Sequence, residues 1–185
     1  MGYSLSWIAV PAAARVQLLD ALKLSPTGRF DEEPDAEASG IDLPSGWYAV
    51  VRDRYDVTEG DLAALARLSR KARVIACGVE EHVMASWACE WSAGREAWSV
   101  SHDAEAGLRN LAATGTTPPE YPPVRDRLMA EQDRHPEGPD YLFDVPVALA
   151  ETLTGFRHDF RPPGRTALPF EVLAPRKAGW RRWFG

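Results

Sequence analysis

The stretch from Val79 to His102, VEEHVMASWACEWSAGREAWSVSH, constrains the fold more than any other part of the chain. Val83, Ala85, Trp87, Cys89 and Trp91 alternate with Met84, Ser86, Ala88 and Glu90, the two-residue period of an extended segment with two distinct faces. SAGR supplies a turn, after which Glu96, Trp98, Val100 and His102 alternate with Ala97, Ser99 and Ser101. The pattern predicts a β-hairpin. If its apolar faces coincide, Trp87, Trp91 and Trp98 form one aromatic layer with Cys89 beside them, which accounts for the tryptophans and the thiol without chemistry. Glu80, Glu81, His82 and His102, at the ends of the hairpin, are left without a role.

The same reasoning extends along the chain. YSLSWIAV predicts a strand from Gly2 to Val10, and Pro11 opens a helix to about Leu24 whose apolar side carries Val16, Leu18, Leu19 and Leu22. SPTGRFDEEPDAEASGIDLPSG, rich in proline, glycine and acid, reads as a long solvated loop. GWYAVVRDR predicts a strand from Gly46 to Arg54. Thr58 caps a helix with Leu62, Leu65, Ala66 and Leu68 inward, and ARVIACGV is apolar on both faces, as a central strand is. Beyond Asp103 the chain reads as helical and irregular: AEAGLRNLAATG as a short helix or a loop, PPVRDRLMAEQDRH as a surface helix, and DVPVALAETLTGF as a helix from Asp144 to a C-terminal Gly155. A short strand is expected at Phe170 to Leu173. The expected fold is α+β: one mixed sheet of roughly five strands in the order β-α-β-α-β-β-β, a helical C-terminal region, and two parts. Residues 1–155 form the domain, and 156–185 a proline-rich, basic and aromatic extension packed on it or docking from it.

Charge separates the function classes. The net charge of −6 argues against a general nucleic-acid binder, because neutralising phosphates requires clustered Lys and Arg. Its distribution is uneven: about +5 falls from Arg157 to Gly185 and about −11 before it, with DEEPDAE at Asp31 to Glu37 the densest acidic run. No apolar run approaches the roughly 20 residues of a membrane span, and the first residues lack the basic start of a secretory signal. A soluble, cytoplasmic protein without membrane attachment is expected, with Cys77 and Cys89 as free core thiols.

No HExxH, paired CxxC, EF-hand, GxSxG, GxGxxG or Walker pattern occurs, so no metal or cofactor is expected and the case for an enzyme is weak. The remaining candidates for acid–base or metal chemistry are Glu81, His82, His102 and His158, imidazoles and carboxylates of the type that transfer protons or bind zinc. Candidates for partner binding are the acidic Asp31, Glu32, Glu33 and Glu37, together with Arg181, Arg182 and Trp183 of the tail. The leading expectation is a non-enzymatic protein-binding or regulatory module of the immunity type; the alternative is a small hydrolase or lyase built on His82, His102 and nearby carboxylates.

MGYSLSWIAV, GWYAVVRDR, ACGVEEHVMAS, GREAWSVSHD and LFDVPVALAETLTGFRHD together resemble a family of small bacterial proteins with no assigned activity. The resemblance spans most of Gly2 to Asp159. It implies a bacterial cytosolic protein and brings no activity, cofactor or site residue.

Overall fold

The computed structural model describes residues 2–159 and 169–176. The elements run β1 (Ser4–Pro11), α1 (Arg15–Ala21), β2 (Leu24–Asp31), β3 (Ala38–Asp42), β4 (Trp47–Arg52), α2 (Glu59–Leu68), β5 (Val74–Glu80), β6 (Ala85–Ser92), β7 (Arg95–Asp103), β8 (Leu111–Gly115), α3 (Tyr121–Arg134), α4 (Asp144–Thr154) and β9 (Phe170–Pro175). Among the described residues the strands form one nine-stranded sheet in the order β2-β9-β3-β4-β1-β5-β6-β7-β8. Every bonded pair is antiparallel.

The roughly five-stranded mixed sheet expected from sequence is therefore wrong in both strand number and strand direction. Two features explain the error. The segment read as a solvated loop contains β2 and β3, and the segment after Asp103 contains β8. In addition, β4 and β5 both pair antiparallel with β1, so they run the same way with β1 between them. The β-α-β pattern is real, but it is split by an antiparallel strand. α1 connects β1 to β2, and the chain returns to β1 only as β4.

The sheet is covered on both faces. Ile8, Val10, Val50 and Ala76 face α1 and α2, where they meet Leu18, Leu19, Leu65 and Leu68. Leu5, Trp7, Ala9, Cys77 and Val100 face α3 and α4, where they meet Val124, Leu128, Val145 and Leu149. Helix α1 is shorter than expected, with Leu18 and Leu19 buried and Val16 65% exposed. It gives way at Lys23, which takes the left-handed conformation with φ 57°. The helix expected over Asp144 to Gly155 forms, with Gly155 left-handed at its end.

The hairpin forms, but the single aromatic layer does not. Glu90 faces Trp98 across the strands, and the register shifts between Glu90 and Trp91. Trp98 therefore packs on the α3/α4 face while Trp87, Trp91 and Cys89 belong to the opposite one. The bulge breaks the strict alternation on which the expectation rested. Trp87 lies against β5 at Gly78, where an added Cβ would come within 2.5 Å of its indole nitrogen. Cys77 and Cys89 also sit on opposite faces, both buried and free.

The strongest local polar unit fixes the start of α2. Thr58 Oγ1 accepts from the Asp61 amide at 3.2 Å, and Asp61 accepts from the Thr58 amide at 3.0 Å, a reciprocal cap. Asp61 also accepts from Arg52 and Arg54, each at 2.6 Å, and its side chain is 8% exposed. Burial alone would raise the Asp61 carboxyl, but the Thr58 amide and Arg52 outweigh it and hold the group below the usual carboxylate range. A depressed carboxyl contributes stability above its unfolded pKa of about 4, and that stability is lost as pH falls through the lower folded value. Asp61→Ala strands Arg52 in the interior and is expected to cost about 3–5 kcal/mol in urea unfolding at neutral pH. The gap to the parent protein should narrow below about pH 4, where the parent loses the same interaction. A cost under about 1 kcal/mol would mean that water screens the pair.

Candidate functional site

The turn between β5 and β6 carries the carboxylates and the histidine left unexplained by the hairpin. Glu80 accepts from the Ser4 hydroxyl at 2.5 Å and faces His82 Nδ1 at 2.7 Å, and these two partners hold its carboxyl below the usual range. Glu81 closes the opposite side of the turn: its amide donates to the Tyr3 carbonyl and its carboxylate accepts from the Tyr3 amide, both at 2.9 Å. Each carboxylate is engaged in joining β5 to the start of β1.

His158, distant in sequence, arrives at the same place. Its Nε2 lies 3.5 Å from Glu81 Oε1, and its ring meets Tyr3 edge-on at 5.0 Å and Trp7 at 5.8 Å. The side chain is 1% exposed, and burial lowers its pKa despite the nearby carboxylates. His82 remains at the surface, 63% exposed and turned toward Glu80 rather than His158.

His102 belongs to another unit. Nδ1 lies 2.8 Å from the Asn110 carbonyl and Nε2 2.8 Å from Asp140, so neither ring nitrogen is left to meet a substrate. Asp140 in turn accepts from the Leu142 and Phe143 amides, and Ser86 donates to the Phe143 carbonyl at 2.6 Å. This network ties the α3–α4 connection onto β6 and β7. His102 lies on β7, whereas His158 packs on Trp7 of β1, with β5 and β6 between those two strands. Of the four candidates, only Glu81 and His158 are brought together. Among the described residues no group of three His, Cys, Asp or Glu side chains is placed to hold a metal ion. Burial raises both thiols, Cys89 to about 12, which disfavours the thiolate at either position.

The acidic run has a different setting. β2 and β3 are both antiparallel to β9 and flank it, so they point the same way. Residues 32–37 must therefore cross from one end of β9 to the other, and Glu32, Glu33, Asp35 and Glu37 are exposed on that crossing. Asp31 is half-buried at the end of β2, 3.7 Å from Arg29. Arg181, Arg182 and Trp183 lie outside the described residues. Of the extension expected from residue 156, Phe156 is buried against Trp7, and residues 170–175 form a strand within the sheet.

Two cavities open on the α1/α2 face of this half of the sheet. One, about 340 Å³, lies beside the Arg52–Asp61–Arg54 cluster. The other, about 280 Å³, is lined by Arg15, Phe30, Gly40, Asp42, Tyr48 and Glu171. Arg15 bridges Asp42 and Glu171, at 2.6 Å to each. Sequence reasoning assigned no role to Arg15, Asp42, Tyr48, Glu171 or Asp140, because no short motif links positions this far apart. Comparisons with protein-family models, curated proteins and solved structures gave no match.

His158 yields a prediction with a defined sign. Its folded pKa lies below the unfolded value of about 6.5, so the unfolded chain binds the extra proton first. The stability tied to the neutral ring is present above about pH 6.5 and is lost as pH falls toward the lower folded value. Thermal melts at about pH 7.5 and about pH 5.5 should show a smaller drop for His158→Leu than for the parent protein. An unchanged drop would assign the pH sensitivity elsewhere.

Proposed function

We propose that the protein is a non-enzymatic binding module that captures a basic protein partner at the β2–β9–β3 end of its sheet. The observation that carries this reading is the exposed acidic crossing at Glu32, Glu33, Asp35 and Glu37, which continues into the carboxylates of Asp42 and Glu171. Carboxylates concentrated on one surface steer a basic partner toward it and set the register of docking. An immunity-type or regulatory role, in which the partner's own basic surface is masked, fits this polarity. The cytosolic setting and the link to small bacterial proteins rest on the sequence resemblance. No helix among the described residues is long and apolar enough to cross a membrane.

The acid–base alternative draws on one observation, the approach of Glu81 to His158. A general acid or base must reach the proton it moves. His158 is enclosed by Tyr3 and Trp7, His82 is turned to Glu80, and His102 is held between Asn110 and Asp140. These geometries favour binding over chemistry.

The test is affinity capture from a cytosolic extract with the parent protein and with the triple variant Glu32→Lys, Asp35→Lys, Glu37→Lys. A basic protein retained by the parent should be lost at least about tenfold by the variant, whose melting temperature should stay close to the parent's because exposed charges contribute little to folding. Equal capture by both proteins would remove the acidic surface from the reading.

A further inference from the structure

We propose that the cavity of about 280 Å³ beside the acidic crossing is a socket for one basic side chain, a lysine or an arginine, of the protein partner. The inference rests on the reading above that the partner is basic, and it adds the point of engagement.

The charge balance comes first. Arg15 uses Asp42 Oδ2 and Glu171 Oε2, so one cation stands between two carboxylates and the cavity keeps a net negative charge. No other side-chain hydrogen bond among the described residues reaches either carboxylate, which leaves Asp42 Oδ1 and Glu171 Oε1 able to accept. Glu171 is only 9% exposed, on a strand flanked on both sides. A carboxylate in such a place is costly to bury unless a cation meets it, and Arg15 is that cation for Glu171 Oε2.

The floor of the cavity points to the same ligand. Tyr48 is fully buried, and its hydroxyl makes no regular hydrogen bond among the described residues, while the Arg15 guanidinium beside it counters the burial that pushes the phenol up to about 12. It lies over Gly40, where an added Cβ would come within 2.0 Å of the phenol oxygen, so only glycine leaves the hydroxyl in this position. Arg15 already lies 4.6 Å from the centre of the Tyr48 ring, so the floor accommodates a cation over its aromatic face. A lysine ammonium brings three donors, and Asp42 Oδ1 and Glu171 Oε1 can accept two of them.

Size and position narrow the class. The volume falls just below the roughly 300–1,000 Å³ of small-molecule pockets, which suits one side chain better than a cofactor. Phe30, 59% exposed at the rim, offers an apolar surface to the alkyl stem of such a chain. Asp31 follows it directly, so the socket opens where the acidic crossing begins. The crossing steers, and the socket fixes the register.

The test uses amide spectra of the full chain, titrated with the N-acetyl, N-methylamide derivatives of lysine, arginine and norleucine, and with butylammonium. A blocked lysine or arginine should shift Gly40, Asp42, Tyr48 and Glu171 saturably, and norleucine should not. Asp42→Asn, at an exposed position compatible with folding, should weaken binding about tenfold. Shifts of equal size with norleucine, no saturable shift with either cationic residue, or unchanged affinity in Asp42→Asn would overturn the proposal. Butylammonium binding more tightly than both blocked residues would make the ligand a free amine and overturn it as well. The probes contain no partner surface, so their failure counts against the socket alone, whereas equal capture by the triple variant counts against the acidic crossing.

Discussion

β9 pairs with β2 on one side and β3 on the other, and the N-terminal half of the sheet is completed by this insertion. β2 and β3 adjoin in sequence and point the same way, yet share no hydrogen bond. Without β9, β2 has no ladder partner and β3 has only β4. The insertion has two consequences. It forces residues 32–37 across β9, which exposes the acidic side chains, and it carries Glu171 to Arg15, which closes one wall of the socket. Both candidate binding features therefore follow from one pairing, between Leu24 and Pro175 at one end and Asp31 and Phe170 at the other.

The same arrangement occurs a second time. β4 and β5 run in one direction, and β1 fills the gap between them. The first and last described strands are thus both inserted between strands that could not otherwise join the antiparallel ladder. A sheet closed in this way relies on contacts distant in sequence, and such contacts incur loop-closure entropy before they return any stability. β1 recovers that cost through a centre buried on both faces, where Trp7, Ile8, Ala9 and Val10 have no exposed surface. β2 sits at the edge and recovers less. Pro26 and the break in register before Phe30 instead guard it against pairing with another chain.

Elements were legible in the sequence where their environment imposed a period. β4 and β5 announced themselves by β-branched and apolar runs, the β6–β7 hairpin by alternation around SAGR, α2 by its Thr58 cap, and α4 by its apolar repeat ending at Gly155. β2, β3 and β8 did not. Pro26, Gly28 and the neighbouring acids mimic a loop, Ala38 to Asp42 offers only one large apolar residue, and Leu111 to Gly115 is an edge strand of small residues. Edge strands owe their existence to a neighbour's backbone, and that neighbour is invisible in a local window. The misplacement of Trp98 has a narrower origin in the bulge opposite it, which side-chain identity does not encode. The candidate site was hidden even though a strand at Phe170 to Leu173 was expected, because Arg15 and Glu171 become neighbours only through tertiary pairing.

The histidines show how a dense cluster of reactive groups can serve architecture. At the end of a sheet, backbone groups and strand connections run out of regular partners, and buried polar groups must be satisfied by side chains. Glu80 and Glu81 hold the β5–β6 turn to β1, and His102 with Asp140 holds the α3–α4 connection to β7. Each of these assignments consumes the donors and acceptors that catalysis would need. At the opposite end of the chain's topology the balance is reversed, because Arg15 satisfies only half of the oxygens that Asp42 and Glu171 present, and the Tyr48 hydroxyl beside it makes no regular hydrogen bond among the described residues. Unspent hydrogen-bonding capacity, rather than the local density of reactive residues, is what distinguishes the surface proposed to bind from the hairpin end, whose polar groups join elements of the fold.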